Sequence, residues 1–131
     1  MVTKEKIENY LSENILELQA TQAKLCVPII RRICAKMQAG IKFEEIKICE
    51  DLLIDGHHRY ISALLTGYKI GRVSSQKTSA TEVRDWRAVE LSDDDWDTAE
   101  HIAVLDQRDA AYNKIDLKIL TELTLGKAKE L

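Results

Sequence analysis

An α+β fold, a small mixed sheet with helices packed on it, is what this sequence predicts, and three observations predict it. Residues 43–49 and 52–54 read as two short strands on either side of a Glu50-Asp51 reversal. The stretches 27–40, 57–67 and 98–131 carry their apolar residues at helical rather than alternating spacing. Between the second strand and the second helical stretch there is no linker. Leu52-Leu53-Ile54 passes through Asp55-Gly56 directly into a helix, making a strand–turn–helix corner.

Taken in order, Thr3 is placed to cap a first helix through Ser12, with Ile7, Tyr10 and Leu11 on one face. Leu16 and Leu18 alternate with Glu17 and Gln19, which predicts a short strand with one buried side. Pro28 suits a first helical turn, and Ile29, Ile30, Ile33, Cys34 and Met37 form an apolar stripe that Gly40 ends. Arg31, Arg32 and Lys36 fall on the other faces and read as solvated surface first, a phosphate or nucleic-acid patch second. Glu44 and Glu45 flank the next strand; a general base or a magnesium ligand is the alternative reading.

Beyond the corner, Tyr60, Ile61, Ala63, Leu64 and Leu65 predict a helix stopped by Gly67. Lys69 to Ser74 and Trp86 to Leu91 read as further strands, separated by a polar loop around Ser75 to Thr81. The run from Asp93 to Asp97 holds four carboxylates, which raises a metal site. Ser92 and Asp97 are also good helix caps, and Asp97 with Glu100 has capping-box spacing, so capping is preferred. From Ala99 onward the pattern is helical with a break near Asn113. Leu117 to Leu125 either covers a sheet face or offers an apolar ridge to a second copy, as in a homodimer.

The corner carries the chemistry. A helix that starts at a turn points its first N–H groups and the positive end of its dipole outward, a favourable place for an anion. Gly56 lets a ligand approach the backbone, and His58 and Arg59 add donors suited to phosphate oxygens. The competing reading is an ordinary Asp-Gly turn with a solvated His57 and an Arg59 paired to a surface carboxylate.

Asp55-Gly56-His57-His58-Arg59-Tyr60, followed by Ala63 and Gly67, resembles the signature of the ParB/sulfiredoxin superfamily. The resemblance extends over about residues 14–75: Ile15 to Gln22 is similar to the family's first strand and its exit, Val27 to Gly40 to the following helix, and Phe43 to Cys49 to the strand before the motif. It implies a single small α+β domain spanning 1–131, with a helical extension over about 98–131, that holds a nucleotide's phosphates at the corner. Gly56, His57, His58 and Arg59 would hold the phosphates of a nucleoside triphosphate or diphosphate with Mg²⁺. His58 would orient the transferred group, and Asp55 or Glu44 would serve as base or place the ion. Glu17, Gln19 and Gln22 fall near the family's nucleotide-facing edge, although ordinary solvent-facing residues are the preferred reading there. Ser74, Ser75, Lys77, Thr78 and Ser79 would close over the nucleotide or form a free loop.

Family members differ in chemistry, and the fold does not choose among them. The expectation is a phosphotransferase or NTP hydrolase; the alternatives are a non-catalytic nucleotide- or DNA-binding module and a ParB-like nuclease. Departures narrow the choice. Sulfiredoxins resemble this motif but carry a cysteine where His57 stands, so sulfinic acid repair is not expected. Within these 131 residues the DNA-reading and dimerisation domains of partition proteins are not expected.

Composition sets the remaining bounds. A net charge of −3 disfavours nucleic acid and anionic membranes as partners. Cys26, Cys34 and Cys49 are odd in number and lack metal-site spacing, which predicts reduced, mostly buried thiols. No charged-then-apolar leader and no run approaching roughly 18 apolar residues is present, so a cytoplasmic, membrane-free location is expected.

Overall fold

The first helix, α1 (Lys4–Glu13), begins where Thr3 accepts a hydrogen bond from the Lys6 amide, and it buries Ile7 and Leu11. The structure, a computed structural model, describes residues 1–127. The remaining elements are β1 (Lys24–Cys26), α2 (Val27–Gln38), β2 (Ile46–Cys49), β3 (Leu52–Asp55), α3 (His57–Thr66), β4 (Arg72–Ser74), β5 (Glu90–Ser92), α4 (Ala99–Tyr112) and α5 (Leu117–Lys127). The fold is α+β. The predicted continuation of the last helix to the chain end lies, beyond 127, outside the described residues. No helix among the described residues is long and apolar enough to cross a membrane.

The strands form a three-stranded mixed sheet and a parallel pair. In the first, β2 pairs antiparallel with β3 and parallel with β4; in the second, β1 runs parallel to β5. Glu50 takes φ 55° at the tip of the β2–β3 hairpin, the reversal expected from Glu50-Asp51. The predicted strand at Leu16 to Leu18 is shifted: Gln19 and Ala20 instead make single bridges to Leu52 and Arg84, with Leu53 N donating to Gln19 O at 2.9 Å. Trp86 begins a 3₁₀ turn rather than a strand. Its indole N–H donates to Leu18 O at 2.8 Å, while the Tyr60 hydroxyl accepts from Leu18 N at 3.2 Å. Those two rings staple the 18–20 segment over the core, which a reading by apolar alternation could not foresee.

The main core gathers Ile7, Leu18, Leu25, Ile30, Ile46, Leu53 and Ile61 from all these elements. A smaller cluster of Ile41, Ala110 and Leu120 seats the α4–α5 hairpin against the end of α2. One expectation is corrected here. Lys36 is buried rather than solvated, because α4 lies over it and surrounds its ammonium with Asp106 and Asp109.

Candidate functional site

The β3–α3 corner forms the floor of a cleft of about 760 Å³, with α2 and α4 as walls and residues 42–44 as a rim. At its centre Gly56 has φ +97°, a conformation that favours glycine, and a Cβ there would meet Ile46 Cγ2 at 2.7 Å and the Arg59 guanidinium at 2.8 Å. The missing side chain at Gly56 therefore lets Arg59 and the core strand lie against the backbone. Gly56 provides no side-chain cap, and the first intrahelical bond runs from Tyr60 N to Gly56 O at 2.8 Å. The amides of residues 57–59 thus have no acceptor within the helix.

Both histidines act as hydrogen-bond acceptors toward the backbone. His57 Nε2 accepts the Thr21 amide at 3.0 Å, and His58 Nε2 accepts the Cys26 amide at 3.0 Å. Thr21 sends its hydroxyl proton to Leu53 O, so its amide is what reaches the ring. Accepting at Nε2 assigns the proton of each neutral ring to Nδ1. Burial pushes both pKa values down to about 4; the neighbouring His58 lowers His57 further and Asp55 opposes, while Asp97 opposes the shift of His58. At neutral pH each ring is therefore an uncharged clamp on the segment leading through β1. His58 retains one ring N–H for a ligand and contributes no positive charge. Its edge meets the half-exposed indole of Trp96, with ring centroids 5.6 Å apart.

All six residues expected from the sequence, Glu44, Asp55, Gly56, His57, His58 and Arg59, border this one cleft. Arg59 lies along Gly56, donating to Glu44 O at 3.3 Å and sitting 3.6 Å from the Asp55 carboxylate. The second contact is a loose pairing that a stronger anion can replace. Asp55 and Glu44 present exposed carboxylates. They are hard oxygen donors, but among the described residues no group of three or more His, Cys, Asp or Glu side chains is arranged to hold a metal ion by itself. Gln22 also borders the cleft, whereas Glu17 pairs with Arg72 and Gln19 with Asp51 elsewhere. The Ser74 to Ser79 loop is not part of its lining.

Sequence reasoning missed the walls. Arg32 and Lys36, four residues apart on α2, both turn into the cleft: Arg32 is held by Asp95 and Asp97, and Lys36 by Asp106 at 2.6 Å and Asp109 at 2.7 Å. Two of the four carboxylates of the acidic run, Asp95 and Asp97, thus clasp α2. The α4 cap is Thr98, one residue past the expected Asp97; it accepts from His101 N at 3.1 Å, while Asp97 pairs with the His101 ring at 2.8 Å. His101, Leu105, Arg108, Asp109 and Tyr112 form one face of α4 toward the cleft. The i, i+4, i+7, i+8 spacing of that face was readable, but its residues are mostly polar and did not register as an inward face. No protein-family model, curated protein or solved structure matches this chain.

Proposed function

We propose that this cleft binds the phosphates of a nucleotide and that the chain is a ParB/sulfiredoxin-like nucleotide-binding protein, with phosphoryl transfer or NTP hydrolysis as its activity. The observation that carries this reading is the convergence, in one cleft, of a glycine corner with outward amides, a loosely paired guanidinium and two exposed carboxylates. A cleft of this size is typical for a small-molecule ligand. In this reading the amides of residues 57–59 and Arg59 hold phosphate oxygens, and the negative charge gathered there displaces Asp55 from its 3.6 Å contact. The freed Asp55, or Glu44 across the corner, then accepts the proton of the attacking hydroxyl or water. His58 offers its remaining ring N–H as a neutral donor. A bound Mg²⁺ would supply charge neutralisation of the phosphates.

One observation favours a second reading, a non-catalytic nucleotide-binding module. The group with the best ordinary pKa for proton transfer, His58, is committed to the Cys26 amide and stays neutral. The two readings separate in a single experiment. Calorimetric titration with ATP, ADP and CTP, with and without Mg²⁺, measures binding, and ³¹P NMR of the same mixtures measures turnover. Binding in the low-micromolar to millimolar range is expected, and Arg59→Ala should weaken it by about 1–3 kcal/mol. Equal affinity in a folded Arg59→Ala protein would overturn the site. Binding without any change in the phosphorus spectrum would favour the module.

A further inference from the structure

The cations bordering the cleft are not equivalent. Arg32 and Lys36 are matched by pairs of aspartates, and Arg59 is loosely paired. Lys42 and Arg108 border the same cleft, both exposed, and neither side chain has a hydrogen bond or an ion pair among the described residues. They are nonetheless held in place by their backbone. Lys42 N donates to Asn113 Oδ1 at 2.7 Å, and Asn113 Nδ2 donates back to Lys42 O at 3.0 Å and to Asp109 O at 2.8 Å. This ties Lys42 to the end of α4, the helix that carries Arg108. The next residue, Phe43, donates its N–H to the Tyr68 hydroxyl at 2.9 Å, and Glu44 O receives Arg59. A three-residue strap without regular structure is therefore pinned at every residue and connects Lys42 with the corner.

We propose that Lys42 and Arg108 form a second anion-binding pole of this cleft, and that the nucleotide it selects carries a chain of phosphates rather than one. The inference rests on the nucleotide reading above and deepens it. Lys42 and Glu44 are two residues apart, so their backbones are separated by at most about 7 Å. A di- or triphosphate chain covers a span of that order from the corner to Lys42 once the lysine side chain reaches inward, and Arg108 borders the same cleft from α4. One phosphate sits at Gly56 and Arg59, and the following ones meet the two unmatched cations. A monophosphate reaches only the corner.

Calorimetry with ATP, ADP, AMP and inorganic tripolyphosphate tests this on the wild-type chain, on the Lys42→Ala/Arg108→Ala double variant and on Arg59→Ala. Because both substituted residues are exposed and unpaired, the double variant should keep the wild-type melting temperature. Its affinity for ATP and tripolyphosphate should fall roughly tenfold to a hundredfold, with AMP affinity within about twofold of wild type. The Lys42→Glu/Arg108→Glu variant should lose more. Wild-type ATP affinity in the double variant, with loss in Arg59→Ala, overturns the second pole and leaves the corner standing. AMP binding as tightly as ATP to the wild type overturns it as well. Failure of every phosphate compound to bind the wild type removes both readings together.

Discussion

The floor of the cleft and its α4 wall are built by opposite means. Around the floor, Ile46, Leu53 and Ile61 are fully buried, and two neutral imidazoles accept the Thr21 and Cys26 amides. Along α4, fourteen residues bury Ala110 alone, and besides the small apolar cluster the contact with α2 runs through Asp106 and Asp109 on Lys36, with Asp95 and Asp97 just before the helix on Arg32. Apolar burial is not screened by salt and holds one geometry, whereas partly exposed ion pairs weaken as ionic strength rises. The cleft thus has a floor fixed by packing on one side and a wall held largely by charge on the other. Elements with little buried apolar surface are those that open at low free-energy cost.

Acid gives the largest expected break of the floor. Each imidazole has a folded pKa of about 4 against an ordinary 6.5, so its stabilising contribution is complete above pH 6.5 and is lost as pH falls from there toward 4. The loss is on the order of 3 kcal/mol for each ring. Urea denaturation at pH 7, 5.5 and 4 measures it, and a His57→Phe variant should lose part of that slope; an unchanged slope would detach His57 from it. Next in size, Leu53→Ala should cost about 3–4 kcal/mol of global stability, seen as a lower urea midpoint with every region unfolding together. Leu120→Ala, in the small cluster under the hairpin, should cost roughly 2–3 kcal/mol. Its effect should be local: hydrogen exchange accelerates in α4 and α5 while the amides of β3 remain protected. Uniform acceleration would show that floor and wall are one cooperative unit. The smallest effect is Arg32→Ala, about 1 kcal/mol, read as roughly fivefold faster exchange in the first turns of α4. Raising salt to 1 M should reproduce most of it in the wild type.

The same division explains what was legible beforehand. The floor was readable because its residues obey local rules: Glu50-Asp51 reverses, Leu52-Leu53-Ile54 is apolar, and Gly56 stands where a strand must turn into a helix. Consequently Glu44 and Asp55 through Arg59 were expected together and do share a cleft. The roles within it were less readable. That His57 and His58 each receive a backbone amide depends on Thr21 and Cys26, more than thirty residues earlier, and no local pattern encodes that encounter. β1 escaped notice because three residues are too few to alternate and run without a turn into α2. The wall was illegible for an electrostatic reason. Lys36, Asp106 and Asp109 each look like solvent-facing charge, and only the crossing of two helices turns them into an internal contact. On α5, Leu120 is buried in the small cluster while Leu117, Ile119, Leu123 and Leu125 are exposed.

The placement of the two tryptophans gives the molecule an optical signature. Trp86 is sealed beneath the 18–20 segment, while Trp96 stands half in solvent with its ring against His58 at the cleft. A collisional quencher such as iodide will reach Trp96 and spare Trp86, so the emission divides into an interior component and one that reports from the cleft entrance. Anything that settles beside His58 shields the second component and leaves the first unchanged.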